Sequence, residues 1–586
     1  MILQMLAGYY QRLAEECGIA PQGFKNVEIP FLIILNQRGE FAGLQDTRTQ
    51  SGKKLVARSF EIPAEQGRSG SKAWQTANLL WDHYGYVLGQ PKSGSEANKE
   101  MAHKQHGAFV AKVKSLHDRF PDDKEIDAVH QFMVIGDFTA VFSDSKWSEC
   151  ANIPGCNLSF RLEDQLRLVC ENENVRAYVA SANEPASYDE DDAPALPAWE
   201  GICLISGEYG PTTRLHPRTP IPGAKSNAKI VSFQKNMGFD SYGKQQSYNA
   251  PTSEKAAFAY TTALNHMLAK NSQQKLQVGD ATTIFWAEKK HDFESAFADI
   301  FGEPPKGEPQ QDYKSLIALF RSPETGARPE LDPSTRFFVL GLAPNSARIA
   351  VRFWWAGTVG EIAHNIGQHF DDLEMVKGPK EWRRISLPSL LRATALREEN
   401  KNVPPNLAGD TMKAILTGTP YPQTLLASAL RRCRAEQTTH YTRAALIKAI
   451  LARETRFYKR NRKEVGMSLD TTNTNPGYLL GRLFAVLEKI QEEASPSINA
   501  TIRDRFYGAA SGTPVTAFPH LMKLKNHHLA KLENRGRAIN MEKQISEIVD
   551  KLEAGESFPS HLSLPDQGRF AVGYYHQRQF FFTKQG

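Results

Sequence analysis

From about residue 385 to its end the sequence reads as one helix after another, and this run constrains the fold more than any other feature. Apolar residues recur at helical spacing over 410–416, 422–436, 441–458, 476–494, 498–507, 515–534, 538–553 and 566–579, with short polar breaks between. Such stretches bury their apolar stripes by packing helix on helix. The preceding residues mix periods. Helices are expected over 1–17, 73–88, 95–120 and, capped by Ser253, 253–270. Strands are expected over 31–35, paired through a turn at 37–39 with a following strand, and over 129–143, 201–204, 281–287, 335–342 and 348–355. The expected fold is α+β: a mixed α/β amino-terminal body over 1–375, then a carboxy-terminal helical bundle over 376–586. An acidic, proline-bearing loop or linker falls at 181–197.

The charge follows the same division. The whole chain has 71 Lys and Arg against 65 Asp and Glu, but residues 375–586 hold 33 against 19. A basic region on a nearly neutral protein points to a polyanion, nucleic acid above all. The longest apolar runs, near 29–35 and 337–342, fall far short of the roughly 18 residues of a membrane span. The amino terminus reads as an amphipathic helix without a secretory pattern, so a cytoplasmic location is expected. Cys17, Cys150, Cys156, Cys170, Cys203 and Cys433 have no zinc-knuckle spacing and are expected as buried apolar side chains.

Catalytic signatures are missing. The sequence has no GxxxxGK[ST], HExxH, GxSxG or CxxC motif. His527 and His528 are helix neighbours pointing about 100° apart, poorly placed to share a metal. Two dipeptides, His117–Asp118 and His291–Asp292, superficially match the dyads of metal phosphohydrolases, a weak signal in a chain this long. No acid, base and nucleophile assemble with usable spacing, so binding rather than catalysis is expected, without cofactor or metal. The alternatives are a metal-dependent nuclease built on those dyads and a stand-alone nucleic-acid-binding protein.

Three segments suit nucleic acid. Residues 431–463 carry eleven cations, among them Arg431, Arg432, Arg453, Arg456, Lys459 and Arg460, against only Glu436 and Glu454. Helical spacing groups Arg453, Arg456 and Arg460 on one face able to follow a phosphate backbone; the bland alternative is a solvated helix surface. Near the amino terminus, Lys53 and Lys54 precede a glycine-bearing loop at 67–72. There Ser69, Ser71 and Lys72 offer hydroxyls, helix-start amides and a cation, or plain helix capping. Gln75 and Asn78, three residues apart on the expected helix, present amides to base edges. The third segment, 232–251, is polar and long for a connection. Asn236, Gln245, Gln246 and Asn249 could enter a groove, with Tyr242 and Tyr248 able to stack, unless it is an ordinary surface loop.

Distinctive stretches run almost the length of the chain: GKK (52–54), ANLLWDHYGYVLG (77–89), VSFQKNMGFDSYGKQQSYNAPTSEKAAFAYTTALN (231–265), FFVLGLAPNSARIAVRFW (337–354), ILTGTPYPQTLLASALRR (415–432), TNPGYLLGRLFAVLEKIQEEA (474–494), ATIRDRFYGAASGTP (500–514) and HLSLPDQGRFAVGYYHQRQ (561–579). In these the chain resembles the large subunit of the subtype I-C CRISPR Cascade surveillance complex, the Csd-type family. Asp82–His83 departs from the Asp–Asn pair expected in relatives. The resemblance implies a non-catalytic subunit of a crRNA-guided complex, beside backbone and handle-binding subunits. It implies reading of the protospacer-adjacent motif in duplex DNA, help in opening the duplex, steering of the displaced strand and docking of a separate helicase–nuclease. It further implies that residues 467–586 resemble the complex's small subunit, translated internally from Met467. On this reading the basic helical third tracks a strand, the more acidic body packs against protein, and no membrane is involved.

Overall fold

In the computed structural model, the hairpin read from the sequence forms one side of a four-stranded amino-terminal sheet. Phe31–Leu35 pairs antiparallel with Phe41–Asp46 and parallel with Asn157–Leu162, which in turn pairs antiparallel with Trp81–His83. The structure describes residues 1–17, 19–51, 54–64, 73–181, 199–225, 227–234, 238, 243–302, 332–346, 348–378, 381, 385–460, 464–552 and 558–582. Two units divide the chain, one of Leu3–Pro217 with Phe233–Ala263, the other of Arg218–Ser232 with Leu264–Gly586.

The first unit covers its sheet with helices Glu96–Arg119 and Lys124–Ile135, which bury Phe109, Val113, Leu116, Ile126, Val129 and Phe132. Residues 129–143 are therefore not the expected strand. The Asp123 carboxylate accepts the N–H groups of Glu125 and Ile126 as an N-cap, and Gly136 closes the helix at φ 64°. A helix framed by both caps and an apolar stripe wins over the β-rich composition of its second half. Gly39 turns the hairpin at φ 79°, with the Ala128 carbonyl 2.5 Å from where a Cβ would stand, so only glycine fits.

The expected strands of the second unit do form. Ala281–Ala287, Arg336–Asn345 and Arg348–Thr358 make a sequential antiparallel sheet together with Lys275–Val278, a strand not expected from the sequence. Helix Val359–Leu373 follows it directly, started by a capping box in which Thr358 and Glu361 each hold the other's backbone N–H. Helices Pro405–Thr417, Gln423–Glu436, Tyr441–Phe457, Pro476–Ala494, Ile502–Gly512, Pro514–Ala530, Arg535–Val549 and Leu564–Phe582 then succeed one another, close to the periods read from sequence. One core joins sheet and helices, so the expected division at 375/376 falls inside this unit.

Two features hold the helices. Pro476–Ala494 and Leu564–Phe582 touch backbone to backbone. A Cβ on Gly477 would lie 2.4 Å from the Asp566 carbonyl, and one on Gly481 2.1 Å from the Phe570 carbonyl. The equal sequence offset of the two pairs makes the helices parallel. Elsewhere the core is ionic. Asp372, 4% exposed, accepts from Arg453 (3.1 Å), 1% exposed, and from both terminal nitrogens of Arg456 (2.9 and 2.8 Å). Lys448 reaches the carbonyls of Asp372 (2.9 Å) and Glu374 (2.7 Å). Arg443 holds Glu436 and the Ala393 carbonyl, both at 2.8 Å, and Arg569 holds Glu464 and Asp566. Buried charges of this kind stand only when paired.

The described cysteines 150, 156, 170, 203 and 433 are free and buried, as expected. The acidic segment 181–197 lies, apart from Ser181, outside the described residues. Among the described residues no helix is long and apolar enough to cross a membrane.

Three measurements test this packing. Gly481→Ala should cost about 1–3 kcal/mol and lower the melting temperature, whereas Gly508→Ala, on an exposed helix position with nothing within 4 Å, should stabilise by about 0.5–1 kcal/mol. Asp372→Asn, which strands a buried guanidinium, should cost about 3–5 kcal/mol in the same assay. Burial, with the Lys448 charge, pushes the His576 imidazole down to about 4. The unfolded chain, with histidine near 6.5, takes up that proton first as pH falls. Stability should therefore drop by about 3 kcal/mol between pH 6.5 and 4, and His576→Asn should flatten that part of the stability–pH curve.

Candidate nucleic-acid interface

The amino-terminal candidate is built on a two-stranded hairpin, Thr49–Ser51 with Lys54–Val56. Lys54 opens its second strand; Lys53, Ser69, Ser71 and Lys72 lie outside the described residues. Leu55 and Val56, which the sequence reading passed over, are exposed on the same strand. Their signal was an apolar pair following a Lys pair.

The expected helix over 73–88 does not form. Ala73–Gln75 is a single 3₁₀ turn, Leu80 adopts φ 62°, Trp81–His83 is a strand, and only Tyr84–Val87 is helical. Pairing of Trp81–His83 with Asn157–Leu162, and a Trp81 Nε1 bond to the Pro63 carbonyl (2.8 Å), outweigh local helix preference. Gln75 and Asn78 thus share no helix face. Gln75 is exposed; Asn78 is 5% exposed, and its backbone N–H donates to the buried Asp82 (3.0 Å). Asn78 belongs to the support of the segment, not to its outer surface. His83 accepts the Gly85 N–H and caps the short helix.

The segment 232–251 folds partly upon itself. Gln246, at φ 46°, accepts from Arg214 (2.7 Å), and the Asn249 amide donates to the Lys244 and Gln246 carbonyls (3.1 and 3.0 Å). These two amides brace the 3₁₀ turn Gln246–Asn249. Tyr248 is buried and cannot offer its face to a base, contrary to expectation. Gln245 is partly exposed, and Asn236 and Tyr242 lie outside the described residues.

The basic segment is consumed more than its composition suggests. Arg453 and Arg456 do not align with Arg460 along a free face: Arg453 is inside, Arg456 closes on Asp372, and Arg460 pairs with Glu454 (3.0 Å). Arg432 pairs with Glu436 (3.0 Å). The balancing carboxylate of Arg453 and Arg456 comes from residue 372, so a count over 431–463 misses it. Burial, with the Arg453 charge, holds the adjacent His369 well below its ordinary range. Arg431 and Lys459 remain exposed. Beside Lys459 stand two aromatic rings missed in the sequence, Phe457 (50% exposed) and Tyr458 (57%), with the Arg460 guanidinium 5.4 Å from the Tyr458 ring centre. Exposed rings next to cations can stack on bases while the charges meet phosphates.

The two dipeptides form no catalytic pair. Asp292 begins helix Phe293–Phe301 and the His291 ring accepts the Phe293 N–H (3.1 Å), a helix start. His117 pairs with Asp127 (3.2 Å), not with its neighbour Asp118.

The family model described as CRISPR-associated protein (Cas_Csd1) matches residues 6–582. No curated protein matches the chain. With nearly every residue inside that match, the chain belongs to the Cas_Csd1 family of CRISPR-associated proteins, the large-subunit family of type I-C Cascade.

Proposed function

We propose that this Cascade large subunit reads the protospacer-adjacent motif in duplex DNA, helps to open the duplex and steers the displaced strand, without cutting DNA itself. The observation that carries the reading is the end-to-end family match, because a large subunit works where guide pairing leaves a short flanking motif for protein to read. Its partners are then target duplex DNA, the crRNA-bearing backbone and handle-binding subunits, and the helicase–nuclease that it docks.

The residues divide the work by chemistry. Lys53, Lys54, Ser69, Ser71, Lys72 and Gln75 supply cations, hydroxyls and an amide at the motif, and exposed Leu55 and Val56 suit a wedge between base steps. Gln245 and Asn236 are a second motif-reading pair, with Gln246 and Asn249 shaping the turn that follows Gln245. Arg431, Lys459 and Arg460 meet phosphates, and Phe457 and Tyr458 stack on the displaced strand. Residues 467–586 form a small subunit translated from Met467. The close pairing of Pro476–Ala494 with Leu564–Phe582 falls wholly within that product and supports this reading.

Binding assays on the reconstituted complex separate these roles. Replacing Lys72 and Gln75 with Ala should reduce discrimination between motif and non-motif duplexes; undiminished discrimination reassigns the reading loop. Replacing Phe457 and Tyr458 should weaken single-strand binding by about 1–3 kcal/mol per lost stack with little change in salt dependence. Lys459→Ala should weaken binding for all sequences and reduce the salt slope by about 1. Cleavage of DNA by the purified chain with Mg²⁺ or Mn²⁺ would return the nuclease reading.

A further inference from the structure

Helices Glu96–Arg119 and Lys124–Ile135 fold back on one another in the first unit and bring together three side chains that the proposed function does not use. His117 lies in the last turns of the first helix. Asp127 and His130 stand three residues apart on the second, on one face. One ligand atom from each lies within 4.8 Å of the other two. His117 Nε2 is 3.2 Å from an Asp127 carboxylate oxygen, and the two imidazoles stack at 4.1 Å with planes 10° apart. His130 Nδ1 is buried without a hydrogen-bond partner among the described residues. A buried ring nitrogen left without a partner is costly.

We propose that His117, Asp127 and His130 bind one divalent cation of the zinc class. Two imidazoles and a carboxylate are zinc ligands, and three of them leave a fourth position for water. Magnesium and calcium demand oxygen-rich shells and do not suit a site with two ring nitrogens. The side chains of His117 and Asp127 are 20% and 39% exposed, so a hydrated ion can enter from solvent. Asp118 and Asp127 add negative potential and Lys114 opposes it. A bound ion would tie one helix to the other across the turn that follows Arg119, with His117 acting through Asp127 and His130 rather than through Asp118. The site is one the sequence does not advertise, since its ligands are spread over two helices without any metal-binding motif.

The test uses the full chain, stripped with chelator and dialysed. Zinc titration by calorimetry should show one equivalent bound, and Co²⁺ should develop visible absorption bands reporting nitrogen–oxygen ligands. His117→Ala and His130→Ala should each weaken zinc binding more than about tenfold, since loss of a supporting partner alone costs that much. Asp127→Asn preserves side-chain shape, so weaker zinc binding with an unchanged circular dichroism spectrum separates a lost ligand from misfolding. Asp118→Asn and His291→Ala should bind as the parent does. Zinc should raise the melting temperature of the parent and leave that of the His117→Ala/His130→Ala double variant unmoved. Binding no tighter than in that double variant, or equal binding in all single variants, overturns the site.

Discussion

Asp372 is the carboxylate around which the second unit is organised. It ends helix Val359–Leu373, the element that follows the four-stranded sheet, and it receives Arg453 and Arg456 from helix Tyr441–Phe457. Lys448, one turn earlier on that helix, binds the carbonyls of Asp372 and Glu374. Helix Tyr441–Phe457 in turn carries Leu564–Phe582, whose Gly568 nearly touches Ile447 and Leu451. Sheet, central helix and last helix thus depend on one set of desolvated charges. Such a set contributes less net stability than apolar residues of equal volume would, but its partial loss is severe, which enforces one arrangement.

That arrangement changes what the basic character of the chain means. Part of what looks like a nucleic-acid-binding stripe is internal wiring: Arg443, Lys448 and Arg453 are buried against protein partners, and Arg456, itself exposed, closes on Asp372. What is left outside is smaller and chemically richer. Phe457 is the last residue of helix Tyr441–Phe457 and Tyr458 its C-cap, both exposed, and Lys459 and Arg460 continue from them. A helix held by such pairs as far as Arg456 thus ends in exposed rings and cations on an anchored base.

The sequence made the helical third legible element by element, because long amphipathic periods leave little choice. The hairpin at 31–46 and the strands at 281–287, 335–342 and 348–355 were equally plain. Two segments were misread for opposite reasons. Over 129–143, β-branched and aromatic residues suggested a strand, and the cap at Asp123 lay just before the stretch considered. Over 73–88, good helix formers were overruled by a sheet partner some 75 residues away. The candidate site fared less evenly. Exposed Gln75, Lys459 and Arg431 were found; Asn78, Tyr248 and Arg453 proved buried, and Leu55, Val56, Phe457 and Tyr458 were passed over because exposure of an apolar side chain cannot be read from periodicity.

The sequence alone determined the family, the α+β character and the order of nearly all the helices. Each of these rests on local patterns or on long matching stretches, which survive without knowledge of contacts. Only the tertiary structure decided which charges meet solvent, where one unit ends and the next begins, and that His117, Asp127 and His130 stand together. These depend on groups far apart in the chain. A charge count along the sequence cannot see that Asp372 neutralises Arg453, because burial and pairing are properties of the folded neighbourhood.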